Sequence, residues 1–160
     1  MIRKAVQADL ADILSLYASG RNFMHSHGNP GQWTNGYPEA ALLQKDIENG
    51  ELFVMEDAQI YGVFLMTEKA DPTYTRIHGA WHTAHPYITI HRICGDGVHR
   101  GILREAVAFA ETKGLPIRID THENNLPMQR AVLREGFRFC GVIRLQNGDP
   151  RLAYDRQPRK

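Results

Sequence analysis

The sequence predicts a mixed α/β fold around one sheet, and three observations carry that prediction. Short β-branched runs alternate with amphipathic helical stripes in the order β-α-α-β-β-β-α-β-α-β-β. The chain has 160 residues, room for one ordinary domain and too few for two comfortable ones. Hydrophobic residues make up 42% and charged residues 23%, the balance of a chain that builds a core. No repeat or linker interrupts it, so residues 1–160 read as a single domain.

Each element has its own signal. Ile2 to Val6 predicts a short strand. Leu10, Ile13, Leu14 and Tyr17 then recur at helical spacing, with Asp9 and Asp12 in the first turn and Gly20 as the expected stop. His25 to Tyr37 is rich in Gly, Asn and Pro and predicts a loop holding Trp33. Pro38 suits the start of a second helix that runs to about Asn49, before Gly50. Leu52–Met55 and Ile60–Met66 predict a pair of strands, Asp71-Pro72 a break, and Tyr87–Cys94 another strand. Gly95, Asp96 and Gly97 open a turn before a third helix, whose inner face is Leu103, Ala106, Val107 and Ala110 and whose end is near Gly114. A buried strand over Ile117–Asp120, a helix over 125–135 closed by Gly136, and strands over Phe137–Ile143 and Arg151–Tyr154 complete the chain. Asn147-Gly148 is a hairpin turn signal between the last two.

Charge narrows the function. The net charge is only +1, but residues 1–86 carry 6 basic and 10 acidic side chains and residues 87–160 carry 13 and 8. An anionic ligand is therefore expected in the second half. Eight histidines, five of them between positions 78 and 99, make the surface potential sensitive to pH. Two cysteines without a CxxC spacing give no disulfide framework or zinc ribbon. No secretory leader or 18-residue apolar run is present, so the expectation is a cytoplasmic protein with no membrane partner.

The stretch YITIHRICGDGVHRGILREAVAFAETKG joins a strand, a glycine-rich turn and an amphipathic helix. Free N–H groups at such a helix start favour phosphate, and His99, Arg100 and Arg104 add positive charge. The stretch is neither a Walker A loop nor a GxGxxG fingerprint. Further on, NNLPMQRAVLREGF places Asn125 eleven residues before Gly136-Phe137.

In element order and in these two stretches the chain resembles the GNAT family of N-acetyltransferases. PYITIHRI, RIDTHENNLPMQ and GDPRLAY are similar to a subgroup of small bacterial members. The resemblance implies one mixed, mostly antiparallel sheet flanked by helices, with splayed central strands. It also implies acetyl-CoA as cosubstrate and a primary amine of a small molecule or peptide as acceptor. The family's loop reads Gln/Arg-x-x-Gly-x-Gly/Ala. Aligned on Gly101, this chain has Val98 first and Leu103 last, and Leu103 is expected to crowd the loop unless its register is shifted. By resemblance, Ile93, Cys94, Val98, His99, Arg100, Gly101, Ile102, Leu103, Arg104 and Asn125 face the cofactor, with the Ile93 backbone N–H as oxyanion donor.

Direct attack by an amine needs a base, an oxyanion donor and an acid for the leaving thiolate. His91 and His122 are the base candidates, with Glu123 a third. The family's acid, a tyrosine seven residues after the asparagine, is replaced by Val132, which leaves Tyr154 or water. Trp33 and Tyr37 either wall the acceptor pocket or, for Trp33, cap the core. Asp71 or Glu68 can pair with a cationic acceptor. Cys94 reads as a small buried hydrophobe and not as a nucleophile.

Other classes compete. A non-catalytic acyl-CoA-binding module is allowed by Val98, Leu103 and Val132. A metal-dependent hydrolase using His78, His82, His85 and His91 is remote because no HExxH set accompanies them, and no metal site is expected. Basic residues are interleaved with acids, against a nucleic-acid partner. A homodimer is compatible with the sequence.

Overall fold

Eight strands, paired in a mostly antiparallel sheet, and four α-helices make up the computed structural model, which describes residues 1–159. Residues 1–66 and 92–102 form one compact unit, and residues 67–91 with those from 103 onward form the second.

In the first unit, β1 (Ile2–Lys4), β2 (Leu52–Glu56) and β3 (Ile60–Thr67) pair antiparallel in that order. Nearly every residue of β2 and β3 is buried, the pattern of strands covered on both faces. Phe53 and Phe64 stand opposite each other and stack at 5.6 Å. Helices α1 (Leu10–Ser26) and α2 (Ala40–Glu48) supply Ile13, Leu16, Tyr17 and Leu43 to a core shared with Leu52, Val54, Val63 and Leu65. Asp9 lies just before α1, where its carboxylate accepts from the Val6 N–H and pairs with Arg3.

Gly20 does not end the first helix. α1 runs through it to Ser26, because this glycine answers a packing demand. A Cβ at position 20 would lie 2.6 Å from Cys94 Sγ and 3.3 Å from the Trp33 ring.

The second unit holds β4 (His78–Gly79), β6 (Ile117–Thr121), β7 (Arg138–Arg144), β8 (Pro150–Arg156) and helix α4 (Leu126–Arg134). β6 pairs with β8, β8 with β7 and β7 with β4, all antiparallel. The Asn147-Gly148 turn joins β7 to β8, with Gly148 at φ +89. β4 was not expected. It is two residues long, and Gly79 meets Gly141 so closely that a Cβ on either would sit 2.2 Å from a carbonyl oxygen of the other strand. So short a strand has no alternation to read.

Strand β5 (Ile88–Gly95) begins in the second unit and ends in the first, and helix α3 (Ile102–Glu111) follows it. β5 and β6 are parallel, yet their ladder is confined to Ile88↔Ile117 and Thr89↔Arg118. The central strands thus part as the resemblance implies. Arg92, in mid-strand, has φ +50, a conformation that costs a non-glycine residue about 1–3 kcal/mol.

Candidate active site

The second unit assembles a charged cluster around His91. Its Nε2 lies 2.8 Å from Asp71 Oδ2 and its Nδ1 lies 3.8 Å from Asp120 Oδ2. Asp71 is itself fixed, because its Oδ1 accepts from the Thr73 N–H at 2.8 Å and from the Thr73 hydroxyl at 2.7 Å. Burial pushes the Asp71 carboxyl up, but hydrogen bonds from His91 and Thr73 outweigh it and bring it down to about 2. The Asp71 carboxylate is an acceptor for a proton on Nε2, while Nδ1 faces Asp120. The Tyr74 hydroxyl donates to Asp120 Oδ2 at 2.6 Å, and the Tyr87 hydroxyl accepts from the Asp71 N–H at 3.0 Å. Burial and the nearby Asp120 carboxylate hold the Tyr74 phenol well above its ordinary range, so it stays protonated. The His91 side chain keeps 25% of its surface exposed, enough to meet a substrate.

His122 is built differently. Its Nδ1 accepts from the Asn124 N–H at 3.0 Å, so its lone pair is already engaged. Burial, helped by the Arg151 charge, lowers its pKa from 6.5 and keeps the ring neutral. Glu123 is exposed and contributes its backbone carbonyl to Gln129. Tyr154 is buried on β8 between Ile119 and Phe139, edge-on to the Phe139 ring at 5.6 Å, and burial raises its pKa.

In the first unit the end of β5 runs into the glycine turn. Asp96 closes the turn on itself: its Oδ1 accepts from the N–H groups of Val98 (2.9 Å) and His99 (2.8 Å). Its Oδ2 meets His99 Nδ1 at 2.7 Å, Asp57 meets His99 Nε2 at 3.1 Å, and the ring stacks on Tyr61. Hydrogen bonds to the two carboxylates raise the His99 pKa above 6.5. The amides of Val98 and His99, expected to face the cofactor, are therefore engaged by an internal carboxylate. Gly101, which follows, has φ +75 with clear space on its Cβ side, and α3 begins at Ile102. Arg100 is exposed beside them. Leu103 is buried on the inner face of α3. In the second unit Arg104 is exposed, with Nε 3.5 Å from Glu135.

Cys94 is a packed thiol. It donates to the Leu16 carbonyl at 3.3 Å, and burial pushes it up to about 12, which favours the neutral thiol. Trp33 belongs to the core, edge-to-face with Tyr17 at 5.3 Å. Tyr37 is exposed, and its hydroxyl accepts from Arg92 Nη1 at 3.2 Å. Arg92 also pairs with Asp46, and its carbonyl accepts from the Tyr17 hydroxyl at 2.7 Å.

No protein-family model matches the chain, and a search of curated proteins finds no match. Solved structures do match. An acetyltransferase of the GNAT family from Streptococcus agalactiae is 30% identical, covers 100% of this chain and 96% of its own, and superposes with a TM-score of 0.87. The chain belongs to the GNAT family of acetyltransferases. A second GNAT acetyltransferase, from Listeria monocytogenes, has 23% identity, a TM-score of 0.72 and coverage of 98% and 93%. A Salmonella typhimurium protein solved with its cofactor acetyl-CoA shares the fold at 15% identity and a TM-score of 0.66, covering 100% and 94%.

Against the GNAT pattern, the Asn125 to Gly136-Phe137 spacing acquires a local cause. Asn125 is the N-cap of α4, its Oδ1 accepting from the Met128 N–H at 3.2 Å, with Pro127 in the first turn. Gly136 adopts φ +84 just past the last turn, and the Phe137 N–H returns to the Val132 carbonyl. Eleven residues is the length of that capped helix. Sequence reasoning missed Asp71 as the partner of His91, although Asp-Pro-Thr is an N-cap signature. It also missed Asp120, Tyr74, and Asp96 as the lock on the turn. Only the fold brings residues 71, 74, 91 and 120 together.

Proposed function

We propose that the whole chain acts as one N-acetyltransferase domain, moving the acetyl group of acetyl-CoA to a primary amine of a small molecule or peptide. The observation that carries this reading is His91, held between Asp71 and Asp120 on the strand that leads into the anion-binding turn. Gly101, the α3 amides from Ile102 and Leu103, and Arg100 suit the pyrophosphate, and Arg104 adds charge. Bound acetyl-CoA supplies the thioester carbonyl carbon that the amine attacks.

The residues divide the work. Asp71 and Asp120 attract the incoming ammonium. His91 Nδ1 takes one of its protons, and Asp71 keeps the ring in the required tautomer as a positioning residue. The Ile93 N–H, one residue past the kink at Arg92, donates to the developing oxyanion. As the new C–N bond forms, the nitrogen gives up its second proton to water, the C–S bond breaks and the thiolate leaves. Water protonates it, because Tyr154 is buried and Val132 carries no proton. His122, with its lone pair engaged, serves the loop ahead of α4. Tyr37 lines the acceptor side, while Trp33 supports it from the core.

The first test is binding. At a hundredfold excess over Kd, acetyl-CoA is expected to stabilise the chain by about 2.7 kcal/mol. That raises the melting temperature by about 5 to 10 °C, and ATP or NAD at the same concentration gives no comparable rise. No shift with saturating acetyl-CoA would remove both this reading and that of a non-catalytic acyl-CoA-binding module.

A further inference from the structure

We propose that His82, Cys140 and Asp155 form a binding site for a divalent transition-metal ion, zinc being the best match. His82 Nδ1 lies 3.3 Å from Cys140 Sγ and 3.1 Å from Asp155 Oδ1, and the three ligand atoms fall within 4.8 Å of one another. Tetrahedral zinc, with bonds of about 2.0 to 2.3 Å, spaces its ligand atoms about 3.3 to 3.8 Å apart. The His82–Cys140 spacing falls in that range and the His82–Asp155 spacing lies just below it. Thiolate, imidazole and carboxylate together select a borderline-soft ion over magnesium or calcium, and their two negative charges balance a dication.

The surroundings hold the ligands in place. Cys140 is the extra residue of a β-bulge: β7 pairs Phe139 with Tyr154 and then Gly141 with Ala153, passing over position 140. A bulge re-aims its side chain, and such bulges concentrate next to functional sites. The Ala80 N–H donates to the Cys140 carbonyl at 3.1 Å and fixes the main chain there. Asp155 Oδ2 accepts three hydrogen bonds, from the N–H groups of His82 (2.7 Å) and Thr83 (2.9 Å) and from the Thr83 hydroxyl (2.9 Å). That orients the carboxylate and leaves Oδ1 turned toward His82 Nδ1. The Thr83 hydroxyl in turn accepts from Arg118 Nε at 3.1 Å, and the Arg118 guanidinium sits 4.2 Å from the Trp81 ring and 4.0 Å from the Tyr87 ring.

Cys140 and Asp155 are buried, while the His82 side chain is one third exposed, giving an ion a route in and a water the fourth position. Among the described residues this is the one group of three or more such ligands within reach of each other. His78 and His85 lie outside it. The set shares no residue with the His91 cluster, so it is a structural tie between β7, β8 and the segment after β4. It escapes sequence reading because Cys140 stands 58 residues after His82, with no local motif.

The test uses the untagged chain, stripped with a chelator and dialysed against Zn(II) or Co(II) alone. The expected result is one ion bound per chain. Cobalt should show a thiolate charge-transfer band with tetrahedral visible bands, lost in Cys140→Ser and His82→Ala and retained in Cys94→Ser. Zinc should also protect Cys140 of the parent chain from alkylation, read by peptide mass, which decides the matter even if a variant fails to fold. Substoichiometric uptake, a cobalt band that survives Cys140→Ser, or a Cys140 alkylated equally with and without zinc would overturn the site. Acetyl-CoA binding is unaffected by that failure.

Discussion

Replacing His91 with glutamine is expected to lower kcat by about 10² to 10⁴, the range that a positioned general base contributes. Glutamine keeps a polar group within reach of Asp71 but cannot hold a transferred proton. Because the proposed base acts on the amine and the proposed cofactor contacts lie further along the chain, the rise in melting temperature with acetyl-CoA should persist. Asp71→Asn is expected to act in the same direction with a smaller effect, since it disturbs the tautomer and leaves the imidazole present. His122→Gln, by contrast, should leave kcat near the parent value. Steady-state kinetics with each variant checks the series. A His91→Gln enzyme as fast as its parent would move the base elsewhere.

The second large effect is on stability. Asp46 and Arg92 pair with only 11% of either side chain exposed. Burial disfavours the Arg92 charge, yet Tyr37 and Asp46 more than compensate and raise its pKa. Removing one member leaves the other charge without its partner in a poorly solvated place. Asp46→Ala is therefore expected to cost about 3 kcal/mol, the lower end for a broken buried pair. The melting temperature should fall by about 6 to 12 °C, read by circular dichroism. The double variant Asp46→Ala with Arg92→Ala should lose less than the sum of the two single changes, because they share one interaction. A loss below about 1 kcal/mol for Asp46→Ala would mark the pair as solvated in practice. This pair also braces the kink at Arg92, one residue before Ile93.

Helices and long strands were legible because periodicity and caps are local. The apolar stripe of α1, the Asn-Gly turn and the strand–turn–helix from β5 to α3 all stand where the residues put them. Two departures had tertiary causes. Gly20 looked like a stop but permits close packing against Cys94, and β4 is defined only by its partner β7. The site was half legible. His91 is conspicuous on a β-branched strand, but its carboxylates stand 20 and 29 positions away, where no spacing rule reaches. Asp96 looked like an ordinary turn residue. Its capture of two amides depends on the conformation of the turn. Leu103 shares the buried face of α3 with Ala106, Val107 and Ala110, as the helical spacing predicts.

The proposed reaction is acetyl transfer to an amine. Release of free coenzyme A thiol tests it most directly, followed with acetyl-CoA and a panel of amino acids, polyamines and peptide N-termini, with each amine then weighed by mass spectrometry. The expected result is thiol release that depends on at least one cationic amine, one acetyl group gained by that amine, and loss of both signals in His91→Gln. Binding of acetyl-CoA without thiol release across the whole panel would contradict it and leave a non-catalytic acyl-CoA-binding module in its place.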